Sequence, residues 1–213
     1  FSLFWSVTFV RRSCAVAFGV GRFPTRRCAD LCAGVTPYQE AGDAERPWKE
    51  QYTALLAADS WQLKGKIGIR TARENNNATL FWAQLQQHYQ IELTGPLGQG
   101  GARIEGDDNG ITIDVAGEEP LWAATPELLM EQTLGWQFPV RDLPYWIRGI
   151  PAPGHPFELS MDQQHLQKLI QNNWEINYLR FTNHNGYLLP EKLTISRNDL
   201  RLTIIAKEWQ IPL

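Results

Sequence analysis

The chain has 213 residues, of which 43% are hydrophobic and 20% are charged. This composition provides enough apolar surface for one domain of ordinary size and excludes a globally disordered chain. The net charge of −3 excludes the basic excess of a general nucleic-acid binder, and no run reaches the roughly 18 apolar residues of a transmembrane helix.

Residues 1–34 differ in composition from the rest of the chain. Two short apolar runs are separated by Arg11 and Arg12, and no acidic residue occurs before Asp30. This pattern is typical of a secretory leader, although arginines interrupt the apolar core, so we predict a degenerate or misread leader over 1–34. Residues 35–45 are predicted to be a linker. The three cysteines of the chain all lie in the leader region: Cys14, Cys28 and Cys32.

The folded body is predicted to be a single domain over 46–213, and it begins with a helix. Trp48, Tyr52 and Leu55 recur at helical spacing, and Asp59-Ser60 ends the pattern. Because no cysteine follows residue 32, this domain must be stable through packing alone.

Five segments after this helix are predicted to be strands, and three of them, which begin at Trp61, Tyr89 and Ile111, show the period of two that is typical of strands. Turn signals separate them at Asn75–Asn77 and at Asp107–Gly110. The second segment is apolar on both faces, so it needs cover on both sides or faces a cavity on one. The five predicted strands are Trp61–Arg70, Ala78–Leu85, Tyr89–Thr94, Ala102–Glu105 and Ile111–Val115.

Two helices are predicted in mid-chain. Thr125-Pro126-Glu127 has the N-cap, the proline and the acidic residue that begin a helix, and Gly135 ends it. A second short helix is predicted over Arg141–Arg148, before the Pro/Gly-rich stretch 149–154. Four more strands are predicted after it: His165–Gln171, Trp174–Thr182, Pro190–Arg197 and Leu200–Gln210.

This order of elements predicts a mainly β fold with helices, of the α+β class. No helix alternates with strands in the βαβ manner, so the pattern favours an antiparallel sheet over a parallel one. Consecutive hairpins favour a strongly curved antiparallel sheet, either a closed barrel or a half-closed one with short helices covering its mouth.

The loop Leu93–Gly101 has two possible interpretations. Gly95-Pro96 stops the preceding strand, because proline has no N–H to donate, and Leu97 lies at the tip of the turn beside Gly98. Leu97 is either a tucked residue of a strand connection or an apolar finger directed toward a membrane or an acyl chain.

Catalytic constellations are missing from the sequence. The four histidines are scattered without metal-ligand spacing, and neither a G-x-S-x-G elbow nor a phosphate-binding glycine loop occurs. Asp107-Asp108 precedes Asn109-Gly110, so the pair is interpreted as turn residues. Without a basic stripe, the later tryptophans favour core or pocket lining over base stacking. These are Trp122, Trp136, Trp146, Trp174 and Trp209.

Four segments resemble the outer-membrane lipoprotein LolB family. Residues 61–68 (WQLKGKIG) are similar to its first strand. Phe81-Trp82 and the LTGPLG turn at 93–98 follow in the same order as in the family. Residues 146–151 (WIRGIP) are similar to its W-x-x-G-x-P segment. From the order and spacing of these pieces, the resemblance extends over roughly residues 46–211.

The resemblance implies a half-closed antiparallel barrel of the LolA/LolB type that receives lipoproteins from a periplasmic, LolA-like carrier and incorporates them into the outer membrane. It implies no enzymatic activity, no cofactor and no metal, and we expect a monomer with no nucleic-acid partner. The family's exposed apolar loop residue corresponds to Leu97, flanked by Pro96 and Gly98. Family members are acylated on a cysteine, which would place this protein as a lipid-anchored protein on the periplasmic face of the outer membrane. Cys32 is the candidate, with Leu31 where the family has a small residue.

We expect the acyl chains to bind an apolar cavity between the sheet and the helices. Burial of acyl chains contributes about 0.8 kcal/mol per CH₂ group. Transfer therefore needs only an affinity for the acyl chains that rises from the carrier to this protein and from this protein to the membrane. Two alternatives are a filled barrel core and a lipocalin-like binder of a small hydrophobic ligand. The expected cavity residues are Ile67, Ile69, Phe81, Ala83, Ile91, Leu93, Ile113, Leu128, Leu129 and Trp146.

Overall fold

The computed structural model describes residues 46–98, 100–127, 129, 139–163 and 165–212, apart from the side chain of Leu97. All of them belong to one compact unit, 41–213. The predicted leader 1–34 and linker 35–45, with Cys32, lie outside the described residues, as do Leu128 and Trp136.

Helix α1, Trp48–Ala57, opens the described chain after Pro47, which suits the start of a helix because its missing N–H has no intrahelical acceptor there. The rings of Trp48 and Tyr52 stack at a centroid distance of 5.4 Å. Gln51 is buried in α1 and connects this helix to the sheet. The Nε2 of Gln51 donates to the Arg46 carbonyl at 2.6 Å, and its Oε1 accepts from the Leu188 N–H at 2.8 Å.

Eleven strands form one antiparallel sheet in the order β6-β5-β4-β3-β2-β1-β11-β10-β9-β8-β7. The first and last described strands of this order, β6 and β7, do not pair with each other, so the barrel is half-closed. The strands are β1 Ser60–Arg70, β2 Asn75–Leu85, β3 His88–Thr94, β4 Gly101–Gly106, β5 Ile111–Val115, β6 Leu121–Ala123, β7 Phe157–Asp162, β8 His165–Gln171, β9 Trp174–His184, β10 Tyr187–Arg197 and β11 Leu200–Gln210.

The connection between β6 and β7 carries the mid-chain helical structure. A helical segment begins at Pro126, as predicted, and helix α2 spans Leu143–Trp146. The predicted helix Arg141–Arg148 is therefore one turn in the middle of that range. Gly149, with φ of +82°, turns the chain into the extended segment that follows.

The sequence prediction was wrong at three places in the sheet. Asn75–Asn77 are not a turn but the first residues of β2, because β1 extends to Arg70 and pairs Arg70 with Asn75. The turn is Thr71–Glu74, where the Thr71 hydroxyl accepts from the Arg73 and Glu74 N–H groups. Strands β6 and β7 were not predicted.

Each strand of the sheet presents an inner and an outer face, defined here by Leu63 and by Lys64 respectively. Leu63 is completely buried, whereas Lys64 is exposed and forms an ion pair with Glu208 on β11 at 3.3 Å. The registers carry the inner face from Leu63 to Trp82 on β2, to Ile91 on β3 and to Trp209 on β11. The hydrophobic core therefore lies on the inner face, under α1 and α2.

Candidate functional site

The inner face of β1–β5 is mostly apolar, with the polar Asn76 and Gln84 at the two ends of β2, and its burial is uneven. At the end of the strands near α1, Leu63 and Leu80 have exposures of 0% and 2%. Toward the opposite end, Ile67, Ile69 and Leu93 are only half-buried although they belong to the same core cluster. That end is the one where the β3–β4 connection lies. The inner face therefore keeps accessible apolar surface next to this connection.

The structure places most of the expected cavity residues on this inner face. Ile67, Ile69, Ile91, Leu93 and Ile113 all face inward by register, and Leu129 of the helical segment is buried.

Phe81 and Ala83 were assigned to the wrong face. They pair with Lys64 and Gln62 of β1, so their side chains are on the outer face, while Trp82 between them points inward. Trp122 is not a core residue, but it lines a pocket, which is one of the two roles predicted for the later tryptophans. It lies on the outer face of β6 opposite Thr112, and 67% of it is exposed.

Trp146 is part of the packed wall rather than of an open surface. It is completely buried, its ring lies 6.3 Å from that of Trp174, and its carbonyl accepts a hydrogen bond from the Tyr178 hydroxyl at 2.9 Å. Burial raises the pKa of Tyr178 far above its ordinary value, so the hydroxyl stays a donor.

Gln171 is the buried polar centre beside Trp146. Its Oε1 accepts from Trp146 Nε1 at 2.8 Å and from the Ala152 N–H at 2.9 Å, and its Nε2 donates to the carbonyls of Ala152 and His155. This residue was not predicted from the sequence. The signal was a glutamine at an inward position of β8, two residues after the inward Leu169.

Arg148, also overlooked, joins α1 to the mid-chain segment. Its guanidinium donates to the carbonyls of Leu55 at 2.5 Å, Ala58 at 2.8 Å and Pro144 at 2.7 Å, and it lies over the rings of Trp61 and Tyr145. Burial lowers the pKa of Arg148 to about 10, but the guanidinium stays charged at neutral pH. The WIRGIP segment thus builds one wall of the barrel through Trp146 and Arg148.

The turn Pro96–Gly98 is a 3-10 turn that projects from the end of β3. The Gly98 N–H donates to the Gly95 carbonyl at 3.1 Å, and Gly98 and Gly100 have φ of +73° and +67°. A Cβ at either glycine would meet no atom within 4 Å, and Pro96 is exposed. The backbone of Leu97 is held by this turn, and its side chain lies outside the described residues.

The paired carboxylates at Asp107-Asp108 belong to a turn. Asp107 Oδ1 accepts from the N–H groups of Asn109 and Gly110, which confirms the interpretation of this carboxylate as a turn residue. Those hydrogen bonds lower the pKa of Asp107. Among the described residues no group of His, Cys, Asp and Glu is placed to hold a metal ion, and no described helix is long and apolar enough to span a membrane.

Comparison with known proteins gives both family and fold. The profile of the family "Outer membrane lipoprotein LolB" matches residues 59–209. The outer-membrane lipoprotein LolB of Pseudomonas paraeruginosa is 43% identical over 84% of this chain and 89% of that protein. The corresponding protein of Stutzerimonas stutzeri is 41% identical over 84% of this chain and 88% of its own length.

A solved structure supports the same architecture. The domain titled as an outer membrane lipoprotein-sorting protein from Vibrio parahaemolyticus superposes with a TM-score of 0.51 at 6% identity, covering 77% of this chain and 90% of that one. At this identity the match concerns the fold alone.

The half-closed antiparallel sheet with a mostly apolar inner face and short covering helices defines an α+β half-barrel. The family match over most of the described chain is more specific than that. The chain belongs to the outer membrane lipoprotein LolB family.

Proposed function

We propose that this protein receives lipoproteins from a periplasmic carrier on its apolar inner face and incorporates them into the outer membrane. The observation that carries the proposal is the fall in burial along the inner face, from Leu63 and Leu80 to Ile67, Ile69 and Leu93. Acyl chains require apolar surface that the protein's own core does not already fill. Family membership favours this function over a lipocalin-like binder of a small ligand.

The proposed transfer requires no chemical step. Acyl chains leave the carrier for a surface of higher affinity and leave that surface for the bilayer, so the free energy of apolar burial drives each step. We therefore propose a non-enzymatic protein, without cofactor, that acts as a monomer. Acylation of Cys32 and a position on the periplasmic face of the outer membrane complete the proposal, and the anchor site stays a prediction.

The turn Pro96–Gly98 is proposed to deliver the lipoprotein into the bilayer, with Leu97 as the residue that enters it. Two observations support this role. The turn is stabilised by its own backbone hydrogen bond, and it adjoins the half-buried end of the inner face. An apolar side chain at this tip would reach the hydrocarbon region next to the outgoing acyl chains.

The test is a transfer assay with a Leu97→Glu variant. The carrier, loaded with a labelled lipoprotein, is mixed with the protein and then with liposomes. We expect the variant to accept the lipoprotein normally but to deliver it poorly, because a charge at the tip disfavours entry into hydrocarbon by about 2–4 kcal/mol. Its melting temperature should stay close to that of the parent.

A conservative Leu97→Met variant serves as the matched control and should deliver as the parent does. If Leu97→Glu unfolds several degrees lower, or if it delivers as well as the parent, Leu97 is an ordinary turn residue. Failure of the parent to accept lipoprotein from the carrier would refute the proposed function itself.

A further inference from the structure

A basic groove lies on the outer face of the sheet beside the turn Pro96–Gly98. It runs across β2, β1 and β11, has a volume of about 870 Å³, and is bordered by Gly95, Pro96 and Gly98. Its cations are Lys66, Arg70 and Arg201. No carboxylate occurs among its described lining residues. The other polar residues of the lining are neutral: Asn75, Asn77, Thr79, Thr94 and Thr203.

The strand register concentrates the three cations. Arg70 and Arg201 are direct cross-strand partners. Lys66 and Arg70 lie on the same face of β1, two residues before and two residues after Gly68. Gly68 has no side chain, so the floor between Lys66 and Arg70 is open. A Cβ there would meet only the Asn77 side chain at 2.9 Å and Thr203 at 4.0 Å.

These cations differ from three other basic residues of the outer face. Lys64, Lys168 and Arg180 have carboxylate partners at 3.3, 2.7 and 2.8 Å. Within the described part of the chain, neither Lys66, Arg70 nor Arg201 forms an ion pair. Like charges placed directly opposite each other destabilise a sheet, so the Arg70–Arg201 pair would be stabilised by an anion between its members.

The charges of Arg201 and Glu175 interact, but the Glu175 carboxylate already has its own partners. Hydrogen bonds from Asn177 and Lys168 and, more weakly, the charge of Arg201 lower the pKa of Glu175. Lys168 holds that carboxylate at 2.7 Å. Arg201 therefore remains available to an external anion.

We propose that the basic groove binds the phosphate of an anionic phospholipid headgroup when the neighbouring turn meets the membrane. Guanidinium pairs and threonine hydroxyls suit a phosphate, because they offer several donors in fixed geometry. The position favours a lipid over a free anion, since the groove borders the turn that is proposed to enter the bilayer. This inference rests on the proposed function for that turn. Because the whole chain has a net charge of −3, its attraction to an anionic membrane must come from this local cluster of cations.

The test compares vesicles of phosphatidylcholine with vesicles that also contain phosphatidylglycerol. The quantity measured is the ratio of the two partition coefficients, in which any contribution of an acyl anchor cancels. We expect the parent to prefer the anionic vesicles, with a preference that falls as salt rises. Arg70→Gln with Arg201→Gln should lower the ratio by up to about 25-fold, at about fivefold per cation.

The matched control is Arg103→Gln with Arg180→Gln, which removes the same charge from outer-face arginines outside the groove. This control should keep most of the preference. Both double variants should melt near the parent temperature, because all four arginines are exposed. Equal losses in the two double variants, or no preference in the parent, would overturn the proposal. Glycerol 3-phosphate in solution should compete only weakly, and full competition by it at matched phosphate concentration would also overturn a lipid site.

Lipoprotein delivery distinguishes this proposal from the proposed function. If the parent delivers lipoprotein into both kinds of vesicle at equal rates, the groove proposal fails and the proposed function stands. If it delivers into neither, the proposed function fails.

Discussion

Leu80 and Phe81 are adjacent in the sequence, yet they occupy opposite faces of β2. Leu80 is buried on the inner face opposite Gly65, and Phe81 lies on the outer face opposite Lys64. The sequence predicts that this strand is apolar on both sides, and this is correct. A strand of that kind carries no alternation from which its inner residues can be recognised, so only the register assigns Phe81.

This assignment gives a test of the acyl-binding surface at the level of one residue. Ile67→Asn should weaken acceptance of lipoprotein by at least about tenfold, because burial of one such side chain contributes about 1.5–3 kcal/mol. Phe81→Asn, on the outer face, should leave acceptance unchanged. The measurement is the equilibrium transfer of labelled lipoprotein from the carrier, with melting temperatures to check folding. Equal acceptance by both variants would argue against the inner face as the binding surface.

At the scale of elements, α1 depends on Arg148, which lies 93 positions after Leu55 and 90 positions after Ala58. The last turn of α1 contains no basic residue, and its terminal carbonyls at Leu55 and Ala58 are satisfied by Arg148. A cation at this end also interacts favourably with the helix dipole. Arg148 therefore couples α1, which lies before the first strand, to the wall built by the mid-chain segment.

Substitution of Arg148 should loosen this element more than the rest of the protein. Arg148→Met removes three charge-assisted hydrogen bonds to carbonyls, and we expect a loss of about 2–3 kcal/mol in the free energy of unfolding. Hydrogen exchange should accelerate most in Trp48–Ala57. Arg103→Met serves as the control, because Arg103 is exposed and pairs only with Glu105 on its own strand. Uniform acceleration across the sheet would contradict a local role for Arg148.

The sequence predicts regular elements well and connections poorly, for a physical reason visible in the mid-chain segment. Period-two alternation identified β1, β3, β5 and β8–β11 because one of their faces is buried. Gln171 and Arg148 have no such signature. Their partners are backbone carbonyls and a tryptophan N–H that only the tertiary structure brings near. The basic groove is similar, since Arg70 and Arg201 meet only through the pairing of the first and last strands.

At the scale of the whole molecule, the pairing of β1 with β11 joins two successive hairpin runs. Strands β2–β6 lie on one side of this pair and β7–β10 on the other. The register shifts between Lys64 and Gly65, where a bulge accommodates an extra residue of β11. Such a bulge increases the local twist, which helps a sheet of this width to curve into a half-barrel. Continuity of the inner face therefore depends on the close approach of β11 to β1 at Gly65.

Gly65 is the residue at which this joint can be tested. A Cβ there would overlap the backbone carbonyl oxygen of Ile205 and lie 3.2 Å from the Ala206 Cα, and neither strand can move without disturbing the bulge. Gly65→Ala should cost about 2–3 kcal/mol of unfolding free energy, in the range of overpacked cores. Gly68→Ala on the same strand is the control, because its nearest neighbour is the movable Asn77 side chain. Denaturant unfolding followed by tryptophan fluorescence measures the stability of both variants.

If the two variants unfold at the same denaturant concentration, β1 and β11 are not held together by close packing at Gly65. If only Gly65→Ala is destabilised and it also loses lipoprotein acceptance, the joint between the two halves maintains the inner face on which acceptance depends.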